Sequence, residues 1–76
     1  MSGDIELARS LVARALERPL DAIPPDADIG SVPAWDSLGH VRILLAIEEE
    51  TGRPLHSETV ATLRSVSDVA RALAAK

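Results

Sequence analysis

Residues 34–52 read Ala34-Trp35-Asp36-Ser37-Leu38-Gly39-His40-Val41-Arg42-Ile43-Leu44-Leu45-Ala46-Ile47-Glu48-Glu49-Glu50-Thr51-Gly52, and this stretch decides the fold. Asp36 or Ser37 supplies a helix N-cap, because a short polar side chain there accepts a hydrogen bond from an amide that has no partner inside the helix. Leu38 to Ile47 carries the apolar residues, and Gly52 stands in the stop position after Glu48-Glu49-Glu50-Thr51. On a helical wheel Gly39, Arg42, Ala46, Glu49 and Glu50 fall within about one third of the circumference. Leu38, Val41, Ile43, Leu44, Leu45 and Ile47 spread over the rest, an arc wider than one buried face requires. Either the helix is central and covered from several sides, or part of its apolar surface is left for a partner. A core this small accounts for Ile43, Leu44 and Ile47 but strains to cover Leu38, Val41 and Leu45 as well.

Outward from this helix the pattern remains helical. From about Asp4 to Leu16, Ile5, Leu7, Ala8, Leu11, Val12 and Ala15 recur at three- and four-residue spacings, with Arg9, Arg14 and Glu17 on the polar side and Pro19 as the stop. Between Arg18 and Trp35, four prolines, Pro19, Pro24, Pro25 and Pro33, together with Gly30, break any regular pattern, while Leu20, Ile23, Ile29 and Val32 are spaced to pin an ordered loop across the helices. After Pro54, Ser57 is placed to cap a short turn through Leu63. Ser65 with Asp68 has the form of a capping box for a last helix through Ala75, whose apolar stripe is Val66, Val69, Ala70 and Leu73. The expectation is an all-α fold, a small four-helix bundle of three main helices plus one short one, in a single domain over residues 1–76.

Composition narrows the function. In a chain of 76 residues with net charge −4, nothing provides the clustered lysine and arginine that grip nucleic acid or anionic lipid. The longest apolar run, Ile43 to Ile47, is far short of a membrane span, and Met1-Ser2-Gly3-Asp4 has no export signal; the expectation is a cytoplasmic monomer that engages neither membrane nor nucleic acid. There is no cysteine and hence no disulfide framework, and His40 and His56 have no clustered partners for a metal. Asp26-Ala27-Asp28-Ile29-Gly30 has the start of a calcium loop, but Ser37 occupies the position that needs a bidentate glutamate, which excludes it. No combination of nucleophile, base and acid, and no glycine-rich phosphate loop, points to an enzyme.

Two features remain. Glu48-Glu49-Glu50 reads as a solvated helix end, placed against the helix dipole, which implies that something besides local stability keeps it. At the other end, Asp36 is positioned to accept from Gly39, and Ser37 stands in the first turn with its hydroxyl outward. The positive field of a helix N-terminus there suits an esterified phosphate. Read alone, Asp36-Ser37 is an ordinary cap.

Taken together, an amphipathic first helix, a proline-containing loop, Asp36-Ser37-Leu38 opening the second helix, Glu48-Glu49 before Gly52, and a short and then a longer helix resemble the acyl carrier protein family. The resemblance covers nearly the whole chain. It implies that Ser37 carries a 4′-phosphopantetheine arm, attached by a phosphopantetheinyl transferase from coenzyme A with magnesium, and that the chain itself catalyses nothing. It further implies an acyl- or aminoacyl-activating ligase and a downstream synthase or transferase as partners. Asp36 would orient the helix start and face the transferase, Leu38, Val41 and Leu45 would form an apolar docking strip, and Arg42 and Glu49 would set charge preference at its rim.

The chain departs from two branches of the family. Where carriers of fatty acid synthesis usually have acidic residues on the exposed side just after the serine, this chain has Gly39 and Arg42. Where peptidyl carriers usually have glycines before the serine, it has Ala34-Trp35-Asp36. In this it is similar to free-standing carriers of D-alanyl or other aminoacyl transfer and of specialised polyketide synthesis. Trp35 reads either as part of that likeness or as a loop residue plugging the bundle. The rival expectation from another class is an unmodified helical adaptor that binds its partner along the second helix.

Overall fold

Four helices follow from the periodicity just described. The structure is a computed structural model that describes residues 2–74. Helix α1 spans Ser2–Leu16, α2 Ser37–Thr51, α3 Ser57–Thr62 and α4 Val66–Ala74, with a single 3-10 turn at Leu20–Ala22. The expected end of the last helix at Ala75 lies outside the described residues. Helix α1 packs against both α2 and α4. Leu16 beside Gly39 and the ion pairs Glu17–Arg42 and Arg14–Glu50 show that α1 and α2 run antiparallel.

The core is aliphatic with one aromatic exception. Ala8, Leu11, Val12, Ala13 and Leu16 enter it from α1, Ile43 and Ile47 from α2, and Val66, Val69 and Ala70 from α4. Two expectations for α1 need correction. Leu7 is 64% exposed, because the covered side of α1 runs instead through Ala8, Leu11 and Val12 and continues to Ala13 and Leu16. Arg9, expected on a solvated side, is mostly covered: its Nε donates to the Ile23 carbonyl at 2.6 Å and its Nη2 to the Leu20 carbonyl at 3.2 Å. The helix ends before Pro19 through a pair of reverse bonds, Arg18 N–H to the Ala13 carbonyl and Glu17 N–H to the Arg14 carbonyl, which place Glu17 in the left-handed region at φ 56°.

The long loop is ordered, though not by all four residues expected to pin it. Ile23 and Val32 are buried, together with Ala27 and Trp35, whereas Leu20 and Ile29 lie at the surface. The reason is that the loop also attaches through its backbone. Ile29 N–H donates to the Arg64 carbonyl, and Val66 N–H to the Ala27 carbonyl, an isolated bridge that ties the loop to the start of α4. Asp28 is used inside its own turn, where its Oδ1 accepts from Gly30 N–H.

Short α3 buries none of its own residues and is held by its flanks, Leu55 and Leu63. Its N-cap is His56, whose side chain makes no capping bond, so Ser57 is the first helical residue and not the cap. The capping box before α4 forms in altered shape. Ser65 Oγ accepts from Asp68 N–H at 3.1 Å, but the Asp68 carboxylate reaches back to Arg64 N–H at 2.9 Å, one residue earlier than expected.

Candidate functional site: the start of helix α2

Asp36 is the residue that caps α2. With extended backbone it lies just outside the helix, and its Oδ1 accepts from Gly39 N–H at 2.9 Å. Ser37 is therefore the first helical residue. It is exposed, and none of the other described residues hydrogen-bonds its hydroxyl. Ser37 opens a helix of fifteen residues, whose dipole is positive at this end, and a phosphate ester is well accommodated in such a field.

Two neighbours give the site its rigidity. Gly39 is buried, so the wheel position that put it on the polar side is corrected. A Cβ on it would stand 2.5 Å from the Ala34 carbonyl and 2.6 Å from Leu16 Cδ2. The backbone of α2 thus approaches α1 and the preceding loop at a distance that only glycine permits. The second neighbour is Trp35, which is 1% exposed and plugs the bundle, as one of the two readings of it expected. Its indole Nε1–H donates to His40 Nδ1 at 3.0 Å, linking the residue before the cap to the first full turn of the helix.

Along α2, the side next to Ser37 is apolar and uncovered. Leu38, Val41 and Leu45 are 61%, 49% and 56% exposed, while Ile43 and Ile47 are fully buried and Leu44 half-buried. The wide apolar arc is thus divided and not covered from several sides: one side faces the core and another faces solvent. Arg42 lies within this exposed stretch and reaches Glu17, the residue just past the end of α1, at 3.9 Å, a solvated pair. Glu49 is exposed. Its two neighbours have work within the fold. Glu48 Oε2 accepts from Leu55 N–H at 3.0 Å, holding the turn after Gly52, and Glu50 lies 3.6 Å from Arg14. Acidic charge at that helix end is thus accounted for at Glu48 and Glu50 by tertiary partners.

The sequence denied His40 the clustered partners of a metal site and suggested no other role for it, and the helical wheel put Gly39 on the polar side. A signal existed for the glycine: in a helix interior it costs about 1 kcal/mol relative to alanine, which points to a close backbone approach. For His40 there was no local signal, since its acceptor role depends on where Trp35 folds.

A family model described as phosphopantetheine attachment site matches residues 6–73. The chain belongs to that family. Its domains carry a covalently attached 4′-phosphopantetheine, and this chain is a phosphopantetheine-carrying protein of acyl carrier type. Such carrier domains are generally non-catalytic and interact with phosphopantetheinyl transferases and synthases. The residues of this carrier fit the group: it requires an accessible hydroxyl beside groups that favour a phosphate, and Ser37 has both its exposure and the helix mouth. No helix among the described residues is long and apolar enough to cross a membrane.

Proposed function

We propose that Ser37 is the attachment residue and that the carrier presents acyl or aminoacyl groups as thioesters to successive enzymes. The observation that carries this reading is the exposed Ser37 hydroxyl, first residue of a helix capped by its neighbour Asp36. In modification, Ser37 Oγ forms the new bond to the phosphorus of coenzyme A next to the pantetheine, and the bond to adenosine 3′,5′-bisphosphate breaks. The hydroxyl proton leaves to a base on the transferase. When bound, the arm supplies the thiol that holds the cargo. The chain has no cysteine, so no neighbouring thiol competes for the acyl group. A tethered cargo exchanges free diffusion for a high local concentration at each partner.

Asp36 holds the first turn in register while the transferase engages Ser37. Leu38, Val41 and Leu45 offer the transferase, an activating ligase and a downstream synthase or transferase an apolar strip at helical spacing. Arg42 and Glu49, exposed along the same side, set the charge that a partner must complement.

Incubation with coenzyme A, magnesium and a broad-specificity phosphopantetheinyl transferase, followed by intact mass, tests the assignment. The mass should rise by one phosphopantetheine, and Ser37→Ala should abolish the gain. An unchanged wild-type mass would return the chain to the class of unmodified helical adaptors.

A further inference from the structure

We infer that His40 is a positioning residue for modification of Ser37, acting through Trp35; this rests on the assignment of Ser37 above. Trp35 immediately precedes the cap residue, and its ring is buried among core residues, so the loop side of the Trp35-Asp36-Ser37 segment is anchored in the bundle. His40 lies on α2 one turn beyond Ser37, half-buried, with its main-chain N–H bonded to the Asp36 carbonyl at 2.8 Å. The indole Nε1–H to His40 Nδ1 bond at 3.0 Å, with the rings inclined by 24°, closes a loop of six residues around the cap. Asp36 and Ser37 are inside that loop.

Three restraints then act on one short segment: Asp36 Oδ1 on Gly39 N–H, the Asp36 carbonyl on His40 N–H, and the indole on the imidazole. The first two belong to any capped helix. The third fixes the angle at which the loop meets the helix, and with it the direction in which the Ser37 hydroxyl leaves the surface. An indole N–H is a donor only, so a buried tryptophan needs an acceptor, and among the described residues His40 is the one that receives it. Without the bond, a buried donor is left unpaired next to the site, and the segment gains freedom to turn away. Correct presentation of a nucleophile to an enzyme is sensitive to displacements of about 1 Å.

Three variants separate a positioning role from a merely structural one. His40→Leu removes the acceptor and keeps a good helix former. His40→Asn places an amide oxygen at the same distance from Cβ as Nδ1 and restores the acceptor. Trp35→Phe removes the donor from the other side. Each is compared with wild type for transferase-catalysed modification, with kcat and KM for the carrier taken separately, and circular dichroism verifies the fold. The chain has one tryptophan, so a single indole N–H resonance reports the bond.

For His40→Leu the indole resonance should move upfield and kcat/KM fall about two- to tenfold, the range expected for loss of one hydrogen bond. The fall should appear mainly in kcat, and His40→Asn should recover both the resonance and the rate. Trp35→Phe should show the same kinetic loss, and it decides the matter if His40→Leu does not fold. Wild-type kinetics in a folded His40→Leu or Trp35→Phe variant would overturn the proposal, as would failure of a folded His40→Asn variant with a restored indole bond to recover the rate. Absence of modification in wild type, or its persistence in Ser37→Ala, would instead overturn the assignment of Ser37, and the two failures are therefore distinguishable.

Discussion

Gly39 stands two residues beyond Ser37, and the place a Cβ would occupy on it faces the Ala34 carbonyl and the Leu16 side chain. Substitution by alanine in an exposed helix stabilises by about 1 kcal/mol. Here the added methyl meets a main-chain oxygen at 2.5 Å, and α2 has to shift to admit it. Gly39→Ala should therefore destabilise the carrier by roughly 1–3 kcal/mol, the usual cost of overpacking, as read from urea denaturation. A neutral or stabilising result would show that the approach of α2 to the loop is not tight. Glu17 shows the opposite accommodation at residue scale: a side chain tolerated in left-handed backbone because two reverse hydrogen bonds from the end of α1 require that geometry.

Helix α2 divides its apolar residues between two environments, and substitutions should divide the same way. Leu38→Asp or Val41→Asp alters a half- or more-exposed position, so the helical signal should persist and stability change by no more than about 1 kcal/mol. Modification or loading should nevertheless slow. Ile43→Ala, in a fully buried position, should cost about 2–5 kcal/mol in the same denaturation measurement. Collapse of Leu38→Asp would place that residue in the core and remove it from any docking surface. Helix α4 carries a different prediction. Burial pushes the Asp68 carboxyl up, but the Arg64 N–H, the Ser65 hydroxyl and the nearby Arg71 guanidinium together outweigh it and hold the group below the ordinary carboxylate value. A carboxylate depressed in the folded state stabilises fully above its unfolded pKa of about 3.9, and the contribution disappears as pH falls through the lower folded value. Asp68→Ala should cost about 1 kcal/mol at neutral pH, the usual worth of a cap, and the gap to wild type should close as pH drops below about 4. A gap independent of pH would place the cost in packing and not in charge.

At the scale of the molecule, the loop that delivers Asp36 and Ser37 depends on contacts distant in sequence. Arg9 reaches from α1 to the Ile23 and Leu20 carbonyls, and the main chain at Asp28 pairs with Ser65 before α4. Arg9→Met keeps most of the apolar stem but removes the donors, leaving the Ile23 carbonyl without its partner. Stability should fall by about 1–3 kcal/mol, with faster amide exchange concentrated in residues 18–35. Uniformly faster exchange across all helices would mean that Arg9 supports the bundle as a whole and not the loop.

The helices, the capping of α2 by Asp36, the stop at Gly52 and the stripe of α4 were legible in the residues themselves, because periodicity and caps act over three or four positions and report their own local energetics. The outward serine and the excess apolar surface beside it were legible for the same reason: one helix of known width cannot bury every residue of that arc in a core this small. Tertiary structure alone decided which way Gly39 faces, that Trp35 is core and bonded to His40, that Arg9 holds the loop, and that Glu48 and Glu50 have partners within the chain. Each of those contacts joins segments whose separation in space depends on how helices and loops pack, and no local periodicity encodes that distance.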